Sequence, residues 1–577
     1  MSGESTPRPE SFDIKNAGSR SSVYKSRHIS LQSRVDSLAS MGDSIRDSMP
    51  ELPNIYGPGR GRSTSYLMES SAESSYYNKE RDNLQTPPST NDGNAPQHPP
   101  LNINAFHESL FIGVCAVSHL MTQAALGQAL APINFIASSF NTANPGEMSW
   151  FIAGYSLTVG TFILISGRLG DIMGHKRVFA FGYLWLGMWS CFAGFTPYTK
   201  HQIFFDFCRA MQGIGPALLM PNALALFGRA YAPGIKKNLV FALFGAMAPA
   251  GFVIGAAFGS LFAEYTWWPW AFWSYGIAAF GLSIISLLVI PKAVGEKPSP
   301  EQRPGFDWTG SLLSVAGLVL VNVAWNNGPL YGWGTPHVYF TLIIGLLCLV
   351  GFGWVEVRAE SPLLPLHALN GTTGFVLACV GVGWGAFGVW VFYSWQFLEN
   401  IRHHSPLSAS AQYAPAVLCG LIAAGMTGFL LTHTPVSFVM MMSMIAFFVG
   451  LTIAGTQPVN QTYWAQMFVS IVIMPFGMDM SFPAATVILS NHMPREHQGL
   501  AASLVNTMVN YSISISLGIA GTVETAANGR KTDYDSLLWG IRCAYYTGIA
   551  LSVAGVLLGA AFFIKSMIKE GWKVMDH

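Results

Sequence analysis

From about residue 109 to near the C-terminus, apolar runs of roughly 18 to 28 residues follow one another with short polar connectors. Each is long enough, at about 1.5 Å per residue, to cross a hydrocarbon layer about 30 Å thick. Backbone exposed to lipid must satisfy its own hydrogen bonds, so the runs are expected as helices, and their number excludes a single anchor. About fourteen are counted, at approximately 109–138, 149–167, 177–196, 202–228, 238–262, 269–290, 308–325, 338–357, 372–398, 408–430, 436–454, 463–489, 498–522 and 541–566. The chain is read as an all-α polytopic membrane protein.

Composition agrees: 51% of the 577 residues are hydrophobic and 11% charged, where a soluble domain carries about 25% charged residues. The formal net charge is +1, with no basic stripe or nucleic-acid-binding motif, which excludes nucleic acid as a partner. Seven cysteines sit in or beside apolar runs without metal-ligand spacing and read as free thiols. With no nucleophile–base pair and no metal-ligand cluster, neither an enzyme nor a metal site is expected. No Walker A sequence is present, so no ATP drive and no cofactor is expected.

Residues 1–105 are rich in Ser, Pro, Gly and Asn and cannot bury enough apolar area to offset the entropy of ordering, so a disordered tail is expected. It places Arg27 before Ser30, Arg34 before Ser37 and Arg46 before Ser48, a pattern that basophilic kinases accept. No signal peptide precedes the first apolar run, which is expected to target the chain itself. Alternate connectors carry Lys176 and Arg177, Lys236 and Lys237, Lys292 and Lys297, Arg358, and Lys565 and Lys569, whereas Lys200, Arg402, Arg530, Lys531 and Arg542 are assigned to the other side. Both termini are therefore expected in the cytoplasm. Trp267, Trp268, Trp270 and Trp273 fit an interfacial belt.

Gly215-x5-Pro221-x-Ala223 in the fourth run recurs as Gly477-x5-Pro483-x-Ala485 in the twelfth. Removing the seventh and eighth runs, flanked by a Pro-rich connector at 291–307 and by 358–371, leaves six in each half. The expected organisation is a six-helix half over 106–295, a two-helix insert over 296–370 and a second six-helix half over 371–577, as secondary transporters use for alternating access.

Three motifs carry a resemblance. The loop between the second and third runs reads Gly167-Arg168-Leu169-Gly170-Asp171-Ile172-Met173-Gly174-His175-Lys176-Arg177 and resembles the signature loop of the major facilitator superfamily. Its glycines permit a tight turn, and Asp171 can latch one state by accepting from a basic group or a helix N-terminus. The basic residue usual after that aspartate is Ile172 here. Arg209 through Gly215 is similar to the superfamily motif whose intramembrane arginine is linked to proton transfer. Asp206, three residues earlier, is expected to pair with Arg209. Gly251, Gly255 and Gly259 set small residues every four in the fifth run, which allows close helix packing. They resemble the antiporter motif of exporters, with Ala256 for the usual proline and Ser260 for the final glycine.

With the strings Trp268-Pro269-Trp270-Ala271-Phe272, Phe476-Gly477-Met478-Asp479 and Ser503-Leu504-Val505-Asn506, the chain resembles the fourteen-span fungal drug:proton antiporters, in the aminotriazole-resistance and boron-efflux branch. The resemblance covers about 106–570 and implies a major facilitator fold of two six-helix halves plus two extra central helices. It further implies a multi-pass exporter of small toxic or secondary-metabolite compounds, borate among the candidates. The proton gradient would drive it, in the plasma membrane rather than the vacuolar membrane. One alternative is the same fold run inward or uncoupled for a small polar solute such as ammonium. Another is a membrane sensor with vestigial transport.

Bacterial relatives carry an aspartate in the first run, where this chain has Gln123 and Gln128. Asp479 is the most isolated acid at membrane depth. An apolar surrounding disfavours a bare carboxylate, which makes Asp479 the leading proton-coupling candidate, with Arg209, Asp206 and His119. Polar residues at helical spacing mark cavity candidates: Gln123 and Gln128, Tyr393 and Gln396, and Ser503, Asn506, Asn510 and Ser514.

Overall fold

The computed structural model describes residues 103–572 apart from 143, 232–234, 296–304, 360, 365–370, 493–497, 530 and 532. The serine-rich stretch with its candidate kinase sites lies outside the described residues. No strand occurs among those described. Fourteen long helices follow in order: α1 (Ala105–Leu130), α2 (Pro145–Met173), α3 (His175–Phe195), α4 (Gln202–Ala230), α5 (Ile235–Tyr265), α6 (Pro269–Val289), α7 (Trp308–Tyr331), α8 (Pro336–Glu356), α9 (Gly371–Gln396), α10 (Pro415–His433), α11 (Val436–Thr456), α12 (Gln466–His492), α13 (Gln498–Asn528) and α14 (Tyr534–Glu570). A π-turn, Phe397–Ile401, extends α9, and a short helix, Pro406–Gln412, precedes α10.

Local chemistry sets the ends. Asn104, Asn144, Asp307 and Asp533 cap α1, α2, α7 and α14 by accepting from backbone N–H groups of the first turn, which satisfies donors that have no intrahelical acceptor. Gly174, at φ 93°, turns the chain from α2 into α3 without the penalty a side chain would meet. Helix α14 begins at Tyr534, earlier than the run at 541, because Asp533 supplies the cap. Arg542, expected near a connector, is therefore inside α14. It donates to Gly455 O at 2.5 Å and to Gln457 O, carbonyls at the end of α11.

Among the described residues, thirteen helices are long and apolar enough to cross a membrane. The exception is α13, whose middle carries Asn506, Asn510, Ser512, Ser514 and Ser516. It packs on α2, α7, α9, α12 and α14, so its polar groups face protein rather than lipid.

The two halves repeat one packing pattern. In the first, α1 packs on α5, α2 on α4, and α3 on α4 and α6; in the second, α9 packs on α13, α10 on α12, and α11 on α12 and α14. The recurring Gly-x5-Pro-x-Ala lies on α4 and α12, the fourth helix of each. The seam is α2 against α13 and α5 against α10. Helices α7 and α8 pair with each other, and α7 leans on both α2 and α13.

Candidate functional site

Between the halves lies a cavity of about 90 Å³ to which five helices contribute: Gln123 from α1, Pro249 and Phe252 from α5, Trp384, Phe387 and Trp390 from α9, Ala416 from α10, and Pro475, Met478 and Asp479 from α12, with Tyr413 before α10. The tryptophan N–H groups are engaged elsewhere, Trp384 Nε1 donating to Ser481 Oγ at 3.0 Å and Trp390 Nε1 to Ser470 Oγ at 2.8 Å. The indoles thus contribute ring surface rather than donors.

Two prolines, Pro475 and Pro483, flank Asp479 on α12. Pro483 has no N–H, so the carbonyl of Asp479, four residues earlier, loses its helical donor. Thr427 Oγ1 of α10 reaches that carbonyl at 3.2 Å, sharing its proton with Ala423 O. The side chain differs: Asp479 Oδ2 is buried with no hydrogen-bond partner. Asp479 makes no ion pair among the described residues.

Of the cavity candidates, Gln123 joins Asp479 here, and the others are placed elsewhere. Gln128 is buried at the α1–α5 contact, where its backbone lies under Gly259. Tyr393 OH donates to Glu524 Oε2 at 2.8 Å, and Gln396 accepts from Asn400 Nδ2, both toward the end of α9. Asn506 and Asn510 return their amides to Ala502 O and Asn506 O, their own helix carbonyls. Ser514 donates to Ala153 O of α2 at 3.1 Å and to Asn322 Oδ1 of α7 at 2.8 Å, while Ser503 faces Gly167. The expectation that α13 lines this cavity with polar groups is corrected: α2 and α7 cover that face.

The expected Asp206–Arg209 pair is not formed. Arg209 is fully buried and donates Nε to Phe151 O at 2.8 Å, Nη2 to Ala125 O at 2.9 Å and Nη1 to Gln212 Oε1, with the Tyr155 ring 4.7 Å from its Cζ. Carbonyls and an aromatic face replace the acid, and Asp206 Oδ1 is buried without a hydrogen-bond partner. His119 donates from Nδ1 to Phe244 O at 2.9 Å and stacks on the Phe244 ring, so both its polarity and its face are used in packing.

At the Gly174 turn, Asp171 Oδ1 lies 3.3 Å from His175 Nε2 and 3.4 Å from Arg229 Nη2. His175 Nδ1 meets Asn222 Oδ1 at 2.7 Å, Arg168 donates to Pro362 O at 3.1 Å, and Lys176 to Ile290 O at 2.5 Å. Glycines make the α1–α5 approach possible. A Cβ at Gly251 or Gly255 would overlap the carbonyl oxygen of Leu120 or Ala124, and one at Gly259 would lie 2.8 Å from Gln128 Cα. Ser260, where the motif has glycine, reaches Ser410 Oγ of the second half at 2.9 Å.

Comparison with known proteins decides the family. The Major Facilitator Superfamily pattern matches residues 112–387 and 373–573. The chain belongs to the major facilitator superfamily. As a superfamily member it is a multi-pass membrane transporter of small molecules rather than an enzyme. It is 53% identical over 81% of its length to the Low affinity ammonium transporter of Saccharomyces cerevisiae, of which it covers 91%. With the Efflux pump terJ of Aspergillus terreus it shares 44% identity over 80% of this chain and 89% of that one. With the Aminotriazole resistance protein of S. cerevisiae it shares 40% over 81% and 85%. The last two are named for efflux and drug resistance, the superfamily's drug-efflux group. Among solved folds, a POT family transporter in complex with 5-aminolevulinic acid aligns with TM-score 0.57 at 13% identity, over 80% of this chain and 96% of the other.

Proposed function

We propose that this transporter exchanges protons for small organic compounds and exports them across the plasma membrane, with both termini cytoplasmic and with no ATP or cofactor. The observation that carries the reading is Asp479, a carboxylate in the cavity between the halves, with one oxygen buried and unpartnered. A proton and a cargo that both need this oxygen exclude each other, which is the minimal requirement for antiport. The gradient suffices: about 100 mV supplies about 2.3 kcal/mol per charge and one pH unit about 1.4, together a cargo gradient of roughly 500-fold.

The cavity also supports a second reading. At about 90 Å³ it is small, below the roughly 300–1,000 Å³ of drug-sized pockets. Aromatic faces around a single acid suit a small cation, and the relative named for ammonium makes facilitated movement of such a solute the competing function.

Counterflow in proteoliposomes under an imposed inward proton gradient separates the two, with aminotriazole, borate and methylammonium as cargo and Asp479→Asn beside the native protein. Antiport predicts gradient-driven flux that the variant loses while cargo exchange persists. Gradient-independent flux in both proteins sinks antiport and leaves the facilitator.

A further inference from the structure

A second cavity, of about 590 Å³, opens at the opposite end of the bundle from the Gly174 turn, where α1 ends, α9 passes into its π-turn and α13 meets α14. Two carboxylates line it. Glu399 is 8% exposed and Glu524 2% exposed, so neither is a surface acid. Each has one oxygen occupied: Glu399 Oε2 accepts from Asn134 Nδ2 at 2.7 Å, and Glu524 Oε2 accepts from Tyr393 OH at 2.8 Å. Each has the other oxygen buried without a hydrogen-bond partner. Two orphan acceptors in one cavity are costly, since an unsatisfied buried polar group costs about 1–3 kcal/mol and more when charged. Trp395, whose indole N–H has no acceptor within hydrogen-bond distance, interacts with Glu399 from the protein side. Among the described residues, Lys531 is the only Lys or Arg that lines the cavity.

We propose that this cavity is a second binding station, for a small organic cation bearing several N–H donors of the amidinium or guanidinium class. Planar N–H pairs match carboxylate oxygens in direction as well as charge, and both acids line the one cavity. Among the described lining residues, two carboxylates stand against one lysine. The station shares no lining residue with the central cavity, and the proposal needs no proton coupling, so it goes beyond the transport reading above.

Calorimetric titration of the full-length protein in lipid nanodiscs tests it, with methylguanidinium as probe and N-methylurea, neutral and of similar shape, as comparison. Native protein is expected to bind methylguanidinium and not N-methylurea. The Glu399→Gln/Glu524→Gln double variant should weaken Kd by roughly tenfold or more. Lys531→Gln should tighten it roughly threefold by removing the opposing charge, a gain that a misfolded protein cannot mimic. Asp479→Asn should leave this binding in place, separating the station from the central cavity. No binding to native protein, equal binding of N-methylurea, unchanged affinity in the double variant or in Lys531→Gln, or loss in Asp479→Asn would each overturn the proposal.

Discussion

Arg209 donates from Nη2 to the main-chain carbonyl of Ala125 at 2.9 Å, so the guanidinium of α4 grips α1 by its backbone rather than by an acid. The same side chain grips α2 through Phe151 O. A lysine cannot reproduce this, because one ammonium on a flexible stem does not span carbonyls on two helices. Arg209→Lys is expected to lower stability by about 2–4 kcal/mol, as at least one buried carbonyl loses its donor. Asp206→Asn should cost under about 1 kcal/mol, because no ion pair is lost. Thermal unfolding in detergent, followed by tryptophan fluorescence, measures both. Equal costs would restore Asp206 as the partner of Arg209.

Gly255 and Gly245 lie on one helix and predict opposite responses. A Cβ at Gly255 would overlap Ala124 O and sit 2.5 Å from Ala124 Cα, main-chain atoms that have nowhere to move. Gly255→Ala is therefore expected to destabilise by about 1–3 kcal/mol through overpacking. Nothing stands within 4 Å of a Cβ at Gly245, and Gly245→Ala should be neutral or stabilise by up to about 1 kcal/mol. Melting temperatures of the two purified variants decide it. A drop of similar size in both would mean that α1 and α5 do not approach as closely as described.

Much of the architecture was legible in the sequence because one physical rule dominates it: apolar runs long enough to cross lipid become helices. The recurring Gly-x5-Pro-x-Ala falls on α4 and α12, at like places in the packing order. The site was less legible. The run at 498–522 stops short of Glu524, because that acid breaks an apolar count; yet α13 continues to Asn528, and Tyr393 supplies the buried partner the acid needs. Trp384 and Trp390 could not be told from lipid-facing aromatics, since only the fold determines which face of α9 turns inward. Asp206 misled for a related reason. Spacing of three makes a pair possible, and competing carbonyls on α1 and α2, invisible to local pattern, took the guanidinium instead.

At the Gly174 turn the constraint is steric. A Cβ at Gly170 would overlap both Asn222 Oδ1 and His175 Nδ1 and lie 2.9 Å from His175 Cε1. Gly170→Ala must push His175 off Asn222 and disturb the Asp171 contacts with His175 and Arg229. Initial transport rates, normalised to the amount of protein in the membrane, are expected to fall roughly tenfold or more, about 1.4 kcal/mol on the conformational cycle. An unchanged rate would remove this network from the cycle.

The carbonyl of Asp479 allows a cycle in which one substitution cancels another. Pro483 removes the N–H that would close the helical bond to that carbonyl, and the Thr427 hydroxyl takes its place at 3.2 Å. Thr427→Val should cost about 1 kcal/mol in the native background, where it leaves the carbonyl without a donor. In Pro483→Ala the alanine N–H returns to position, so the same Thr427→Val should cost much less. The coupling energy from unfolding of the two singles, the double and the native protein is expected near 1 kcal/mol. Equal costs in the two backgrounds would show that Thr427 is not standing in for the missing N–H, and that the orientation of Asp479 toward the cavity is set by something other than this proline.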